Sequence, residues 1–268
     1  MNEIMEIARE HDLIVIEDAA QAPGAIYNGR YAGTLCDIGV YSLNVHKTIQ
    51  CGEGGIVVTS DDSLAERLQL IRNHAEVVVK NKNVKNIENM IGFNYRMTEI
   101  EAAISREQLK KFQKLLKPRI EAANYLTKNL SDIEGITTPI TKNNVSHGFY
   151  MYVMRYSNKF HRIHRDKIIS ALNAEGIPIE GGYVEPIYLE PLYQQKIAFG
   201  KSGFPFTYEG YMGKCDYSKG ICPVTERMYY DEVMTTNVCH ANITRGDLDD
   251  FLEAFEKVFN NIEELKQS

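Results

Sequence analysis

No stretch of this sequence is apolar for long enough to cross a membrane as a helix. Its opening residues, MNEIMEIAREHD, lack the apolar core of a secretory signal. There is no block of basic residues either. The chain carries 30 Lys and Arg against 36 Asp and Glu, interspersed, for a formal charge of −6. That balance speaks against a nucleic-acid or anionic-membrane partner. Cysteine is sparse and odd in number: Cys36, Cys51, Cys215, Cys222 and Cys239 stand at irregular spacings. This argues against a disulfide framework and for a reducing compartment, so a cytoplasmic protein is expected. Cys215 and Cys222 lack the partners of a zinc ribbon, and His161 and His164 have no further ligands nearby, so no metal is expected. Dinucleotide-binding glycine fingerprints, P-loops, repeats and low-complexity tracts are all missing.

What is present suits a globular chain. The 268 residues are 44% hydrophobic, enough for one large domain or two modest ones with a sizeable core. Residues 2–10 read as a short helix with Ile4, Met5, Ile7 and Ala8 on its apolar side. LIVIED (13–18) has four apolar residues followed by two acids, the pattern of a strand buried on both faces of a parallel sheet. DIGVYSL (37–43) and GIVVTSD (55–61) are two more such strands, and a helix follows from about Asp61 to Asn73. Thr98 and Glu101 form a capping box that opens a long helix. Its buried side is expected to carry Ile100, Ala103, Ile104, Phe112 and Leu115, and Pro118 is where a new helix would begin. Beyond lie a strand-like FYMYVMRY (149–156), a helix near 166–175 ended by Gly176, and an irregular Tyr-, Pro- and Gly-rich region (181–224). A last helix is capped by Thr244, with Leu248, Phe251, Leu252, Phe255, Val258, Phe259 and Ile262 at helical spacing. The pattern predicts an α/β layered domain over residues 1–118 and a smaller α+β domain over 119–268.

In open α/β sheets ligands collect at the carboxyl ends of the strands. Asp18 ends the first strand, and Ser42 and Lys47 follow the second in SLNVHKTIQCGEGG. A partly desolvated lysine can condense with an aldehyde, an aspartate can hold a heterocyclic nitrogen protonated, and a serine hydroxyl can donate to a phosphate. Together these meet the demands of pyridoxal 5′-phosphate, PLP. On residue types and spacing alone the bland alternative stays open: a surface lysine, a turn-capping aspartate and ordinary sheet-end hydroxyls.

The segment VIEDAAQAPGAIYNGRYAGTLCDIGVYSLNVHKTIQCGEGGIVVTSDD resembles the core of the DegT/DnrJ/EryC1/StrS family of sugar aminotransferases. IGFNYRMTEIEAAISREQLKK, GYVEPIYLEPLY and CPVTERMY extend the resemblance over essentially the whole chain. EDAAQ, SxxxxK, GEGG and NYRM in this order make a specific combination, whereas any one alone would be weak. The resemblance implies a fold-type I PLP-transferase: a mostly parallel sheet with flanking helices, plus the smaller C-terminal domain. It implies that Lys47 binds the cofactor aldehyde and shuttles protons, and that Asp18 pairs with the pyridine nitrogen. Gln21 would lie beside the ring hydroxyl, Ser42 would hold the phosphate, and Asn94 would reach the phosphate of a neighbouring subunit in a homodimer. Some relatives replace the lysine with histidine and act as dehydratases; Lys47 favours transamination. The implied reaction moves an amino group from glutamate or glutamine to a keto-sugar, usually nucleotide-linked, for amino-sugar or polysaccharide synthesis.

Two departures from the family stand out. Family members carry a long segment before the aspartate strand, which cradles the phosphate and stacks on the ring. Here Met1 lies only shortly before Asp18. A truncated product, one chain of a split enzyme, or a non-catalytic paralogue acting as an interaction module are the alternatives. The second departure is Tyr188, which stands where many relatives have a substrate-side histidine.

Overall fold

The computed structural model describes residues 1–76, 87–210, 213 and 215–266. The chain divides into two compact units, residues 1–120 with 141–150, and residues 121–140 with 151–268. Among the described residues no helix is long and apolar enough to cross a membrane.

In the first unit, helix α1 (Asn2–Glu10) precedes β1 (Ile16–Asp18), and a small hairpin of β2 (Ile26–Tyr27) and β3 (Arg30–Tyr31) follows. Strands β4 (Ile38–Ser42) and β5 (Gly55–Val58) complete a three-stranded sheet in the order β1-β4-β5. β1 and β4 are parallel, as the apolar runs suggested, with Asp18 opposite Val40. β5 differs, running antiparallel to β4. The connection between them contains no helix to carry the chain across the sheet, and it turns back on β4 instead. β1 also differs from the expectation of a strand buried on both faces: Ile14 and Ile16 are each 63% exposed. No described strand pairs with its outer edge, and nothing described covers these side chains. In α1 only Ala8 is buried, while Ile4 and Ile7 are exposed.

Helix α2 (Asp62–Arg72) begins as predicted, with the Asp61 carboxylate accepting from the Leu64 N–H at 2.8 Å. Helix α3 (Glu99–Leu130) opens on the Thr98/Glu101 box but runs straight through Pro118 instead of restarting there. A proline inside a helix forfeits one backbone hydrogen bond and crowds the preceding turn. Here Leu116 on one side of it and Ala122, Ala123, Leu126 and Leu130 on the other are buried, and this packing carries the helix across. Its early turns depart from the predicted buried side: Ile100, Ala103 and Ile104 are exposed, as is the neighbouring Leu109, because nothing described packs on them. After α3 come β6 (Ile136–Thr137) and β7 (Val145–Ser146). β7 pairs with β2 in the order β3-β2-β7, and these bonds tie residues 141–150 to the first unit.

The second unit is built on an antiparallel sheet, β6-β8-β10-β9, with β8 (Tyr152–Tyr156), β9 (Glu180–Gly181) and β10 (Val233–Thr236). Along β8, Tyr152, Met154 and Tyr156 point inward and alternate with exposed residues, the period-two signature of a half-buried strand. Helices α4 (Arg165–Ala174) and α7 (Arg245–Asn260) pack on each other. The chain between them includes the short helices α5 (Pro191–Gln195) and α6 (Pro223–Arg227). Helix α7 carries the predicted Thr244 cap as a full capping box with Asp247. Its Phe251, Phe255 and Phe259 rings stack in sequence at helical spacing.

Candidate cofactor site

Parallel pairing of β1 and β4 brings their carboxyl ends side by side, so Asp18 and Ser42 lie at the same end of the sheet. The Ala19 N–H extends the ladder to the Val40 carbonyl at 2.9 Å. Asp18 Oδ1 accepts from the Ala20 N–H at 2.9 Å, which turns the chain and puts Gln21 on the exposed bend just beyond. Ser42 Oγ accepts from the Asn44 N–H at 3.2 Å. Its O–H proton therefore stays available to a phosphate oxygen.

Lys47 sits in a loop that is tightly held. The Leu43 N–H donates to Gly54 O, the Cys51 N–H to Leu43 O, and the Lys47 N–H to Asn44 O. Asn44 also donates to Glu53 Oε1 at 2.7 Å, so Glu53 serves the loop's structure. Leu43, Ile49 and Cys51 are buried beneath it, packed with Met97, Phe112 and Leu115. Gly52 adopts φ +97°, a conformation that a side chain would strain. A Cβ on Gly54 would come within 2.9 Å of Met97 Cε. The glycine-rich turn after the lysine thus lets the loop close back on β4. His46 is exposed, whereas Lys47 is half-buried with Nζ 4.3 Å from the centroid of the Tyr150 ring.

Asn94 stands apart from this group. It lies in an extended segment docked on the end of α2, where the Phe93 N–H donates to Ile71 O and the Tyr95 N–H to Arg72 O. Its backbone pairs with Asn73, and its side chain is exposed. Among the described residues, Asn94 makes no hydrogen bond to Asp18, Ser42 or Lys47. A cavity of about 310 Å³ in the first unit reaches Ser42 between Tyr41, Leu43 and Phe112, and neither Asp18 nor Lys47 lines it. His161 and His164 point to different partners, Glu134 O and the carboxylates of Asp166 and Asp231. Among the described residues, no three His, Cys, Asp or Glu side chains are grouped to hold a metal.

Residues 1–216 match the DegT/DnrJ/EryC1/StrS aminotransferase family. The chain belongs to that family. It is 37% identical over 178 residues to the GDP-perosamine synthase of Caulobacter vibrioides, covering 66% of this chain and 47% of that protein. It is 31% identical over 277 residues to a putative L-glutamine:3-amino-2,3-dideoxy-scyllo-inosose aminotransferase of Streptoalloteichus tenebrarius, covering 99% of this chain and 63% of that protein. Among solved structures, the aminotransferase from Psychrobacter cryohalolentis superposes with a TM-score of 0.79 at 26% identity, covering 97% of this chain and 65% of that one. The chain therefore spans less than two thirds of the length of these relatives. Its α/β fold is that of the fold-type I PLP aminotransferases, and the aminotransferases of this family are PLP-dependent. The donor set at the ends of β1 and β4 suits that cofactor: an amine, a carboxylate with one oxygen uncommitted, and a hydroxyl with its proton to give.

The sequence did not single out Tyr150. No local pattern marks it, because its proximity to Lys47 comes only from the return of residues 141–150 to the first unit.

Proposed function

We propose that this chain is an aminotransferase that moves an amino group from glutamate or glutamine to a nucleotide-linked keto-sugar, with PLP as cofactor, Lys47 and Asp18 as catalytic residues, and Gln21, Ser42 and Asn94 as further cofactor contacts. The observation that carries this reading is the convergence of Asp18 and Ser42 at one end of the sheet, with Lys47 in the loop that follows. When bound, PLP supplies an aldehyde to carry the amino group and a ring that delocalises negative charge. The Asp18 carboxylate holds the proton on the ring nitrogen, which keeps the ring cationic. The Ser42 O–H donates to the phosphate. Lys47 Nζ removes the α-proton of the amino donor and later delivers a proton to the acceptor carbon. Five free thiols support placing this chemistry in the cytoplasm. A homodimer is supported by the exposed Asn94 and by the uncovered apolar residues Ile100, Ile104 and Leu109 on α3.

A second reading, action as one part of an assembly with another polypeptide, is favoured by the uncovered Ile16 and Val57 on the β1-β4-β5 sheet and Ile14 just before it. Purified protein mixed with PLP and reduced with borohydride separates the two. Covalent retention of PLP on the peptide containing Lys47, lost in Lys47→Ala, is the expected result. No retention by the chain alone would overturn the first reading in favour of the second.

A further inference from the structure

We propose that Tyr150 is a positioning residue for Lys47, holding its ammonium group against the ring face at the active end of the sheet. The significance for catalysis rests on the aminotransferase reading above; the contact itself does not. Lys47 Nζ lies 4.3 Å from the Tyr150 ring centroid, well inside the range over which a ring face attracts a cation. A chance contact of a lysine with a surface tyrosine would need no scaffold, yet the backbone that carries this ring is held at several points. Arg119 Nη1, from α3, donates to both Phe149 O and Tyr150 O, each at 3.1 Å. The Phe149 N–H donates to His147 Nδ1 at 2.7 Å, and the two rings pack 4.4 Å apart. Phe149 is buried and takes φ +46°, a backbone conformation that non-glycine residues adopt only where their surroundings enforce it. At Gly148 a Cβ would lie 3.1 Å from the Pro23 carbonyl, so the turn is pressed against the segment that follows Asp18 and Gln21. Strained and close-packed, residues 147–150 hold the Tyr150 backbone in place, and its ring meets Lys47 Nζ from there.

The chemical consequence follows from the electrostatics. The ring's negative face attracts the ammonium group and limits where the flexible lysine stem can place it. An arriving aldehyde then meets an amine already at the strand end, and the ring must release it for reaction. Tyr150 thus trades some intrinsic reactivity of Lys47 for position.

The test uses the full chain without PLP. Reductive ¹³C-methylation keeps the lysine charge and reports its surroundings. The Lys47 methyl resonance, assigned by its absence in Lys47→Arg, is expected to be shifted upfield by the ring current. A resonance at the ordinary lysine position would overturn the proposal without any Tyr150 variant. Labelling by an N-hydroxysuccinimide ester, resolved by peptide mass spectrometry, gives the second readout. Tyr150→Phe keeps the ring and is expected to label Lys47 at the parent rate, whereas Tyr150→Met should raise that rate about two- to fivefold. Exposed Lys110 should label unchanged in both variants. Equal Lys47 labelling in parent and Tyr150→Met, with circular dichroism unchanged, would overturn the proposal. Failure of PLP capture with the upfield resonance present would sink the aminotransferase reading and leave the Tyr150–Lys47 contact standing.

Discussion

The Tyr188 hydroxyl donates to Glu226 Oε1 at 2.5 Å, and the same carboxylate oxygen accepts from the Gly220 N–H at 2.6 Å. Both side chains are buried. Burial first, and then the Glu226 carboxylate, push the Tyr188 phenol well above its ordinary range. The Tyr188 hydrogen bond and the Gly220 N–H hold the Glu226 carboxyl below its own. Tyr188 thus anchors the turn at Gly220 and the start of α6 to the chain around residue 188, within the irregular region 181–224.

Removing one partner of this bond leaves the other buried and underserved, which costs more than the bond itself contributes. Tyr188→Phe and Glu226→Gln should therefore each lower the melting temperature by several degrees. Because the folded-state pKa of Glu226 is depressed, its contribution is present above the unfolded pKa, near 4.3 by ordinary values. It is lost as pH falls through the folded value. The gap in melting temperature between the parent and Glu226→Gln should therefore shrink in acid. A gap that stays constant from pH 6 to about pH 3 would contradict the assignment.

Tyr152 offers the complementary test in alkali. Its side chain is wholly buried, its hydroxyl shares a hydrogen bond with Thr127 Oγ1 at 3.0 Å, and desolvation pushes its pKa up to about 12. The unfolded chain releases this proton near pH 10 while the folded chain retains it, so stability falls as pH rises from 10 to 12, by about 3 kcal/mol in all. Tyr152→Phe has no phenol to titrate. Urea midpoints followed by circular dichroism should drop more steeply for the parent than for the variant across that window.

Gly39 tests the first unit. It is buried in the middle of β4, paired with Glu17 of β1 and Val58 of β5. A Cβ there would sit 1.8 Å from the Gly33 carbonyl oxygen. Gly39→Ala should cost about 3 kcal/mol, the upper end of the usual range for core overpacking, or prevent soluble expression. Gly55→Ala is the control. Its nearest neighbour would be the Tyr41 carbonyl oxygen at 3.4 Å, and it should change stability by less than about 1 kcal/mol. Thermal melts of the two purified variants decide the comparison.

Much of this protein was determined by short-range pattern. The capping boxes at Thr98/Glu101 and Thr244/Asp247, the Asp61 cap and the aromatic stripe of α7 follow from residues within a turn or two of one another. The parallel β1-β4 pair was visible in two apolar runs, and the family motifs flagged Asp18, Ser42 and Lys47 together. Only the tertiary structure decided the rest. Whether Ile16 is covered depends on what lies across from it, and apolar composition cannot say that. β5 turned antiparallel with no helix between it and β4 to carry the chain across the sheet, and α3 passed Pro118 because packing on both sides outweighed one lost hydrogen bond. Tyr150 reached Lys47 because β7 pairs with β2 and carries its segment back to the first unit. Local propensity is a property of neighbouring residues, but burial, strand direction and site membership are properties of distant segments brought together. Those depend on the energetics of the whole fold.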